Sequence, residues 1–154
     1  GAVESDFVQV DLAALVRAAV TEHARLAETR NIDLGVVQAD ETAKVSGDAS
    51  ALKILLANLI GNALRYTPPG GRVDVSCGLS EGQAFLEVVD TGPGIPPEER
   101  QRVFDRFYRR SEGGGEETGS GLGLAIVKTI AGRHGAAVEL LDADSGGLRA
   151  RVVF

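Results

Sequence analysis

Apolar residues recur at helical spacing at Leu12, Leu15, Val16, Ala19 and Val20, which predicts an amphipathic helix running to about Thr29 with Asp11 as its N-cap. Ahead of it, Phe7-Val8-Gln9-Val10 alternates like a short strand. Ile32 to Val37 reads as a strand, and a polar link through Asp40 and Glu41 leads to a short extended piece at Lys44-Val45-Ser46. Asp48 then caps a second helix. Its apolar face is Leu52, Leu55, Leu56, Leu59, Ile60, Ala63 and Leu64, and Pro68-Pro69-Gly70-Gly71 stops it. Arg72 to Leu79 and Ala84 to Val89 form a hairpin about the turn Ser80-Glu81-Gly82-Gln83. From Asp90 to Thr118 periodic apolar residues are few, with a short helical stretch near Pro97 to Phe104, and so long a loop in a compact domain is usually functional. Gly121 to His134 returns to helix on Leu124, Ile126, Val127 and Ile130, and the strands Ala137 to Leu141 and Leu148 to Phe154 follow. Hairpins mixed with helices, rather than repeated βαβ units, predict an α+β fold with helices on one face of a largely antiparallel sheet.

Composition narrows this picture. With 154 residues and 44% hydrophobic content, one domain is expected, large enough to bury a core without staples. The formal charge of −6 argues against a nonspecific nucleic-acid surface and against an anionic-membrane patch, so any phosphate site must be local. Cys77 is the sole cysteine, which excludes an intrachain disulfide and a cysteine metal cluster and favours a reducing, cytoplasmic setting. No apolar run approaches the roughly 20 residues a spanning helix needs, and the start does not read as a signal peptide. The 20 glycines cluster at 70–71, 92–94, 113–115, 119–123 and 146–147, as punctuation of loops; there is no internal repeat.

The second helix carries the most informative chemistry. Asn58 and Asn62 lie four residues apart, on one face of an otherwise apolar helix, and Arg65 and Tyr66 continue the same stripe. Unpaired amides in an apolar seam cost about 1–3 kcal/mol each, so they pair inside the core or meet a polar ligand. An amide oxygen suits Mg²⁺, which takes few protein ligands and fills its shell with water and phosphate oxygens, and Arg65 could hold a phosphate. The plainer alternative is a helix edge facing water.

Other segments supply complementary groups. Gly119-Ser120-Gly121-Leu122-Gly123-Leu124 sits before a helix, placed to offer backbone N–H groups to a phosphate, yet it matches neither the G-x-x-x-x-G-K-[ST] loop nor G-x-G-x-x-G, so alone it is weak evidence, with a glycine hinge as the plainer alternative. Asp90-Thr91-Gly92-Pro93-Gly94-Ile95-Pro96 ends a strand on a carboxylate that can accept from an amine; alone it is equally an Asx turn. Val103-Phe104-Asp105-Arg106-Phe107-Tyr108-Arg109-Arg110 combines aromatics with arginines. The rings could anchor a mobile loop, and Arg109 could reach a terminal phosphate when that loop closes; the alternative is a surface helix with a small satellite core.

Together these segments resemble the ATP-binding catalytic domain of sensor histidine kinases, in the GHKL superfamily of gyrase-, chaperone- and mismatch-repair-type ATPases. The resemblance covers nearly the whole chain and rests on an N box (Asn58 to Tyr66), a first glycine box (Asp90 to Gly94), an F box (Phe104 to Arg109) and a second glycine box (Gly119 to Leu124), in family order. It implies a Bergerat-type α/β sandwich, a mixed, mostly antiparallel sheet packed against about three helices, with an ATP lid from about 95 to 118. By the resemblance Asp90 accepts the adenine amino group, with Gly92, Gly94 and Ile95 beside it. Asn62 binds Mg²⁺, Asn58 supports the phosphate side, Arg65 stands where the family often has lysine, and Tyr66 lies beside the nucleotide. Phe107, Tyr108 and Arg109 belong to the lid, and Gly119, Ser120, Gly121, Leu122, Gly123 and Leu124 line the nucleotide. Whether Arg109 or Arg110 meets the γ-phosphate stays open. Glu112 to Glu117 is expected to be the least ordered stretch.

One position separates mechanisms. In the hydrolysing relatives the residue one turn before the Mg²⁺ asparagine is a glutamate that activates water; here it is Asn58, and an amide cannot take a proton at neutral pH. The resemblance therefore implies ATP and Mg²⁺ as cofactors and transfer to a histidine on a separate dimerisation domain, then to a response regulator. His23 and His134 lack the context of the phosphoacceptor box and read as surface or packing residues. The chain thus looks like the excised catalytic domain, expected to be monomeric, of a larger and membrane-anchored sensor. A GHKL serine kinase or ATPase would want a carboxylate near Asn58, and Ile54, one turn earlier, supplies none; a nucleotide-sensing pseudokinase is the reading from another class.

Overall fold

The structure, a computed structural model, describes residues 7–105 and 123–154. In chain order its elements are β1 (Val8–Asp11), α1 (Leu12–Thr29), β2 (Asp33–Ala39), β3 (Lys44–Gly47), α2 (Ala49–Tyr66), β4 (Arg72–Ser80), β5 (Gln83–Asp90), α3 (Gly123–Arg133), β6 (Ala137–Asp142) and β7 (Leu148–Val153). The expected helical stretch after β5 is two 3-10 turns, Pro97–Glu99 and Arg102–Phe104.

The caps explain why the helices begin and end where they do. Asp11 Oδ1 accepts from the N–H groups of Ala13 at 3.0 Å and Ala14 at 3.3 Å, and Asp48 Oδ1 accepts from Ala51 N–H at 3.2 Å. Each satisfies donors that the first turn leaves orphaned. At the far end of α1, Asn31 adopts a left-handed φ of 58°, and Ile32 N–H donates to Ala27 O at 2.9 Å while Asn31 N–H donates to Glu28 O at 3.0 Å. This is a Schellman closure. It claims Ile32 for the helix end, so β2 begins one residue later than the periodicity predicts and runs on to Ala39.

Five strands form one sheet in the order β2-β4-β5-β7-β6, with β2 parallel to β4 and the other neighbours antiparallel. β1 and β3 make a separate antiparallel pair. The β4–β5 hairpin turns through Glu81 and Gly82, at φ 53° and 81°; positive φ at both central residues is the turn whose twist matches the strands.

Strand alternation sorts the sheet into two faces. Val73, Val75, Cys77, Leu86, Val88, Ala150 and Val152 are buried in one core cluster with Leu52, Leu55, Leu56, Leu59, Ile60 and Leu64 of α2, Leu12 and Val16 of α1, and Leu124 and Val127 of α3. The fold is therefore the expected α+β sandwich, three helices against a mixed, mostly antiparallel sheet. The opposite face is held by a cross-strand pair, Glu87 and Arg151, at 2.9 Å, with the Arg151 guanidinium 4.4 Å above the Phe85 ring.

His134 is a packing residue. Its Nε2 accepts from Asp48 N–H at 3.1 Å, its Nδ1 donates to Ile130 O at 2.8 Å, and its ring stacks on Phe7 at 4.8 Å. His23 uses Nδ1 on Ala19 O at 2.8 Å within its own helix.

Burial pushes the Cys77 thiol above its ordinary pKa, so the reactive thiolate is scarce at neutral pH. A disulfide-exchange reagent at pH 7.5 should therefore label Cys77 only as the protein unfolds; prompt labelling of the native chain would contradict its buried position. Asp48→Ala removes the cap of α2 and should cost about 1 kcal/mol in urea unfolding.

Candidate functional site

The leucine face of α2 fixes the helix rotation, because turning it would expose Leu52, Leu55, Leu56 and Ile60, all fully buried. That rotation leaves Asn58 and Asn62 half-buried at the edge of the seam. Asn58 Nδ2 donates to Ile54 O at 2.8 Å, so the amide is half satisfied by its own helix. Its Oδ1 faces α3: a Cβ placed on Gly123 would lie 3.3 Å from it. Asn62 makes no hydrogen bond among the described residues. It borders, with Asp90, Val88, Leu124 and Leu148, a narrow cavity of about 10 Å³, the room of about one water.

Asp90 ends β5 and is 2% exposed. A carboxylate so buried needs donors. Oδ1 accepts from Gly92 N–H at 2.9 Å and from Leu148 N–H at 3.2 Å. The first bond is the Asx turn anticipated for this motif, made by a residue that also borders the cavity beside Asn62. The second bond comes from a segment that sequence reasoning did not assign to the site. Gly147 lies so close that a Cβ there would fall 2.0 Å from Asp90 O. The signal was the Gly146-Gly147 pair directly before β7, which composition alone reads as loop punctuation.

Further members converge on the same end of the sheet. Gly92 packs on the last turn of α2, where its Cβ would meet Tyr66 O at 3.0 Å. Gly94 has φ 76° and rests against the carbonyls of Gly146 and Gly147, and Ile95 is buried in the core. Arg65 is half-buried and makes no ion pair among the described residues, and Tyr66 is buried at the helix end. Leu124, in the first turn of α3, closes the cleft beside Asn62. Of the F box, Phe104 is half-buried against α3 with Lys128 Nζ 5.3 Å from its ring centroid, and Val103 is buried, so the first aromatic does anchor its segment. Phe107, Tyr108, Arg109 and Arg110, the 112–117 stretch, and Gly119, Ser120, Gly121 and Leu122 lie outside the described residues.

The structure thus brings Asn58 to Gly123, and Asn62 to Asp90 and Leu124. Among the described residues no group of three or more His, Cys, Asp or Glu side chains is placed to hold a metal ion. The amide oxygen of Asn62 is a donor that suits Mg²⁺, which takes few protein ligands and fills its shell with phosphate oxygens and water.

A family model described as histidine kinase-, DNA gyrase B-, and HSP90-like ATPase matches residues 47–154. The chain is 43% identical over 139 residues to the sensor protein kinase PmrB of Pseudomonas aeruginosa, covering 90% of this chain and 28% of that protein. It is 38% identical over 147 residues to the sensor protein QseC of Escherichia coli, covering 96% and 31%. It therefore spans under a third of the length of these relatives. Among solved structures, a mycobacterial sensor histidine kinase MprB aligns with a TM-score of 0.76 at 35% identity over 96% of both chains. The catalytic domain of histidine kinase ThkA aligns with a TM-score of 0.83 at 23% identity, over 96% of this chain and 94% of that one, and shows the shared fold.

Gly147→Ala forces a methyl group onto the Asp90 carbonyl, and the hairpin must shift to admit it. The substitution should lower stability by about 1–3 kcal/mol, read as a fall in thermal midpoint. An unchanged midpoint would show that the contact between β7 and Asp90 is loose.

Proposed function

The chain belongs to the family of histidine kinase-, DNA gyrase B- and HSP90-like ATPases, and from that premise we propose that it is the nucleotide-holding part of a sensor histidine kinase, transferring the γ-phosphoryl group of Mg²⁺·ATP to a histidine on a separate dimerisation domain. One observation supports the reading: Asn62 and Asp90, from two different elements, border one small cavity beside Leu124 of α3. Asp90, its Oδ1 held by two backbone donors, accepts from the exocyclic amine of adenine. Asn62 offers its amide oxygen to the cation, and Asn58, held by its bond to Ile54 O, presents its oxygen toward α3 on the phosphate side. Arg65 supplies positive charge one turn further along the helix, and Arg109 of the F box supplies more. The remaining members of the nucleotide site are Tyr66, Gly92, Gly94, Ile95, Phe107, Tyr108, and Gly119 to Leu124. Mg²⁺ neutralises charge on the phosphates when bound.

Asn58 also explains why water is a poor acceptor. A carboxamide removes no proton at neutral pH, so the chain has no base at this position to activate a water. An imidazole brings its own lone pair. Its nitrogen forms the new bond to phosphorus, the bond from phosphorus to the β,γ-bridging oxygen breaks, ADP leaves, and the imidazole loses its proton. The histidine would come from a dimerisation domain of the same parent protein, with a response regulator downstream. No described helix is long and apolar enough to cross a membrane. A cytoplasmic position below a membrane-anchored sensor is part of the proposal.

The 154-residue chain should bind ATP and ADP with Mg²⁺ dependence in titration calorimetry and show little turnover; rapid ATP hydrolysis by a clean preparation would overturn the reading. Asn62→Ala should weaken Mg²⁺·ATP binding by about tenfold, about 1.4 kcal/mol, and unchanged affinity would remove Asn62 from the metal role. Added to a phosphoacceptor domain with labelled ATP, the chain should label histidine in an acid-labile form. Binding without labelling would favour a nucleotide sensor.

A further inference from the structure

Arg100 lies between the two 3-10 turns, outside every motif that carries the proposed chemistry. Its Nε donates to Ile95 O at 3.0 Å, and its guanidinium also pairs with Asp142 Oδ1 at the end of β6. The arginine side chain is only 21% exposed while its partner carboxylate is 81% exposed, so a surface acid holds a largely covered cation. The carbonyl it grips belongs to Ile95, which closes the turn that starts at Asp90.

Both ends of that turn are tied to one hairpin. At its start, Leu148 N–H donates to Asp90 Oδ1, and at its finish Arg100 links Ile95 O to Asp142. Between them, Gly94 rests on the Gly146 and Gly147 carbonyls. Thr91 is held to β4 by its N–H on Arg72 O at 3.1 Å and by Arg72 N–H on its Oγ1 at 2.9 Å, while Gly92 and Gly94 leave the rest of the 90–95 turn conformational freedom that the ties at Asp90 and Ile95 restrict. Charge-assisted bonds are the stronger ties for this purpose.

We propose that Arg100 and Asp142 are positioning residues for the nucleotide base: they staple the 90–95 turn to the β6–β7 hairpin and thereby set the aim of Asp90. This rests on the nucleotide-binding reading above. It adds an arginine outside the glycine and N-box positions, and an aspartate at the end of β6.

The test uses the 154-residue chain, with Asp142→Asn, Arg100→Gln, the double variant and Arg100→Lys, measuring ATP and GTP affinity by calorimetry alongside thermal midpoint. Arg100→Gln should weaken ATP binding by about tenfold and flatten the preference for ATP over GTP, as loss of a charge-assisted tie would. Asp142→Asn should do so by about threefold, and the double variant should be no worse than Arg100→Gln, because the two residues act through one connection. Arg100→Lys, which keeps the charge, should recover part of the ATP preference. A role confined to stability would lower the midpoint and leave the ATP-to-GTP ratio at its starting value, and that result overturns the inference, as do fully additive losses. Failure of the unsubstituted chain to bind ATP would instead overturn the nucleotide-binding reading itself.

Discussion

The burial of one face of α2 is the constraint on which the site depends. Leu52, Leu55, Leu56, Leu59, Ile60 and Leu64 must all leave water, and a helix of fixed pitch can satisfy that at only one rotation. Once the rotation is set, the positions of Asn58 and Asn62 follow. They cannot turn inward without displacing leucine, nor outward without exposing it. The hydrophobic term thus aims the polar stripe, and Leu59 of the same face borders the cavity beside Asn62.

The second dependency is electrostatic. Asp90 is buried at the end of a central strand, where an unpaired carboxylate would be costly, and two backbone N–H groups make it tolerable. One donor comes from its own turn, the other from the start of β7, 58 residues later. The carboxylate therefore knits the C-terminal hairpin to the loop after β5. Gly147 is the residue type that permits the approach.

Helix α2 also explains the division of labour between neighbouring amides. Asn58 spends its N–H₂ donor on Ile54 O, one turn back, which fixes the oxygen toward α3. Asn62 has no such bond among the described residues and opens on the cleft with Asp90 and Leu124. Two identical side chains on one stripe thus differ in what they can do, through what each already holds.

By itself the sequence determined what local rules govern. The two N-caps, the leucine stripe, the Glu81-Gly82 turn and the proline-glycine stop depend on residues a few positions apart, and spacing alone specified α1, α2 and the β4–β5 hairpin. The four motifs, in their order along the chain, carried the resemblance from which the family and its fold were anticipated. Only the tertiary structure decided that Ile32 closes α1 rather than opening β2, that Leu148 N–H completes Asp90, and that Arg100 reaches Asp142. Those contacts join residues far apart in sequence or choose between competing backbone partners. No periodicity encodes such a choice, since it is settled by which strand the sheet brings alongside.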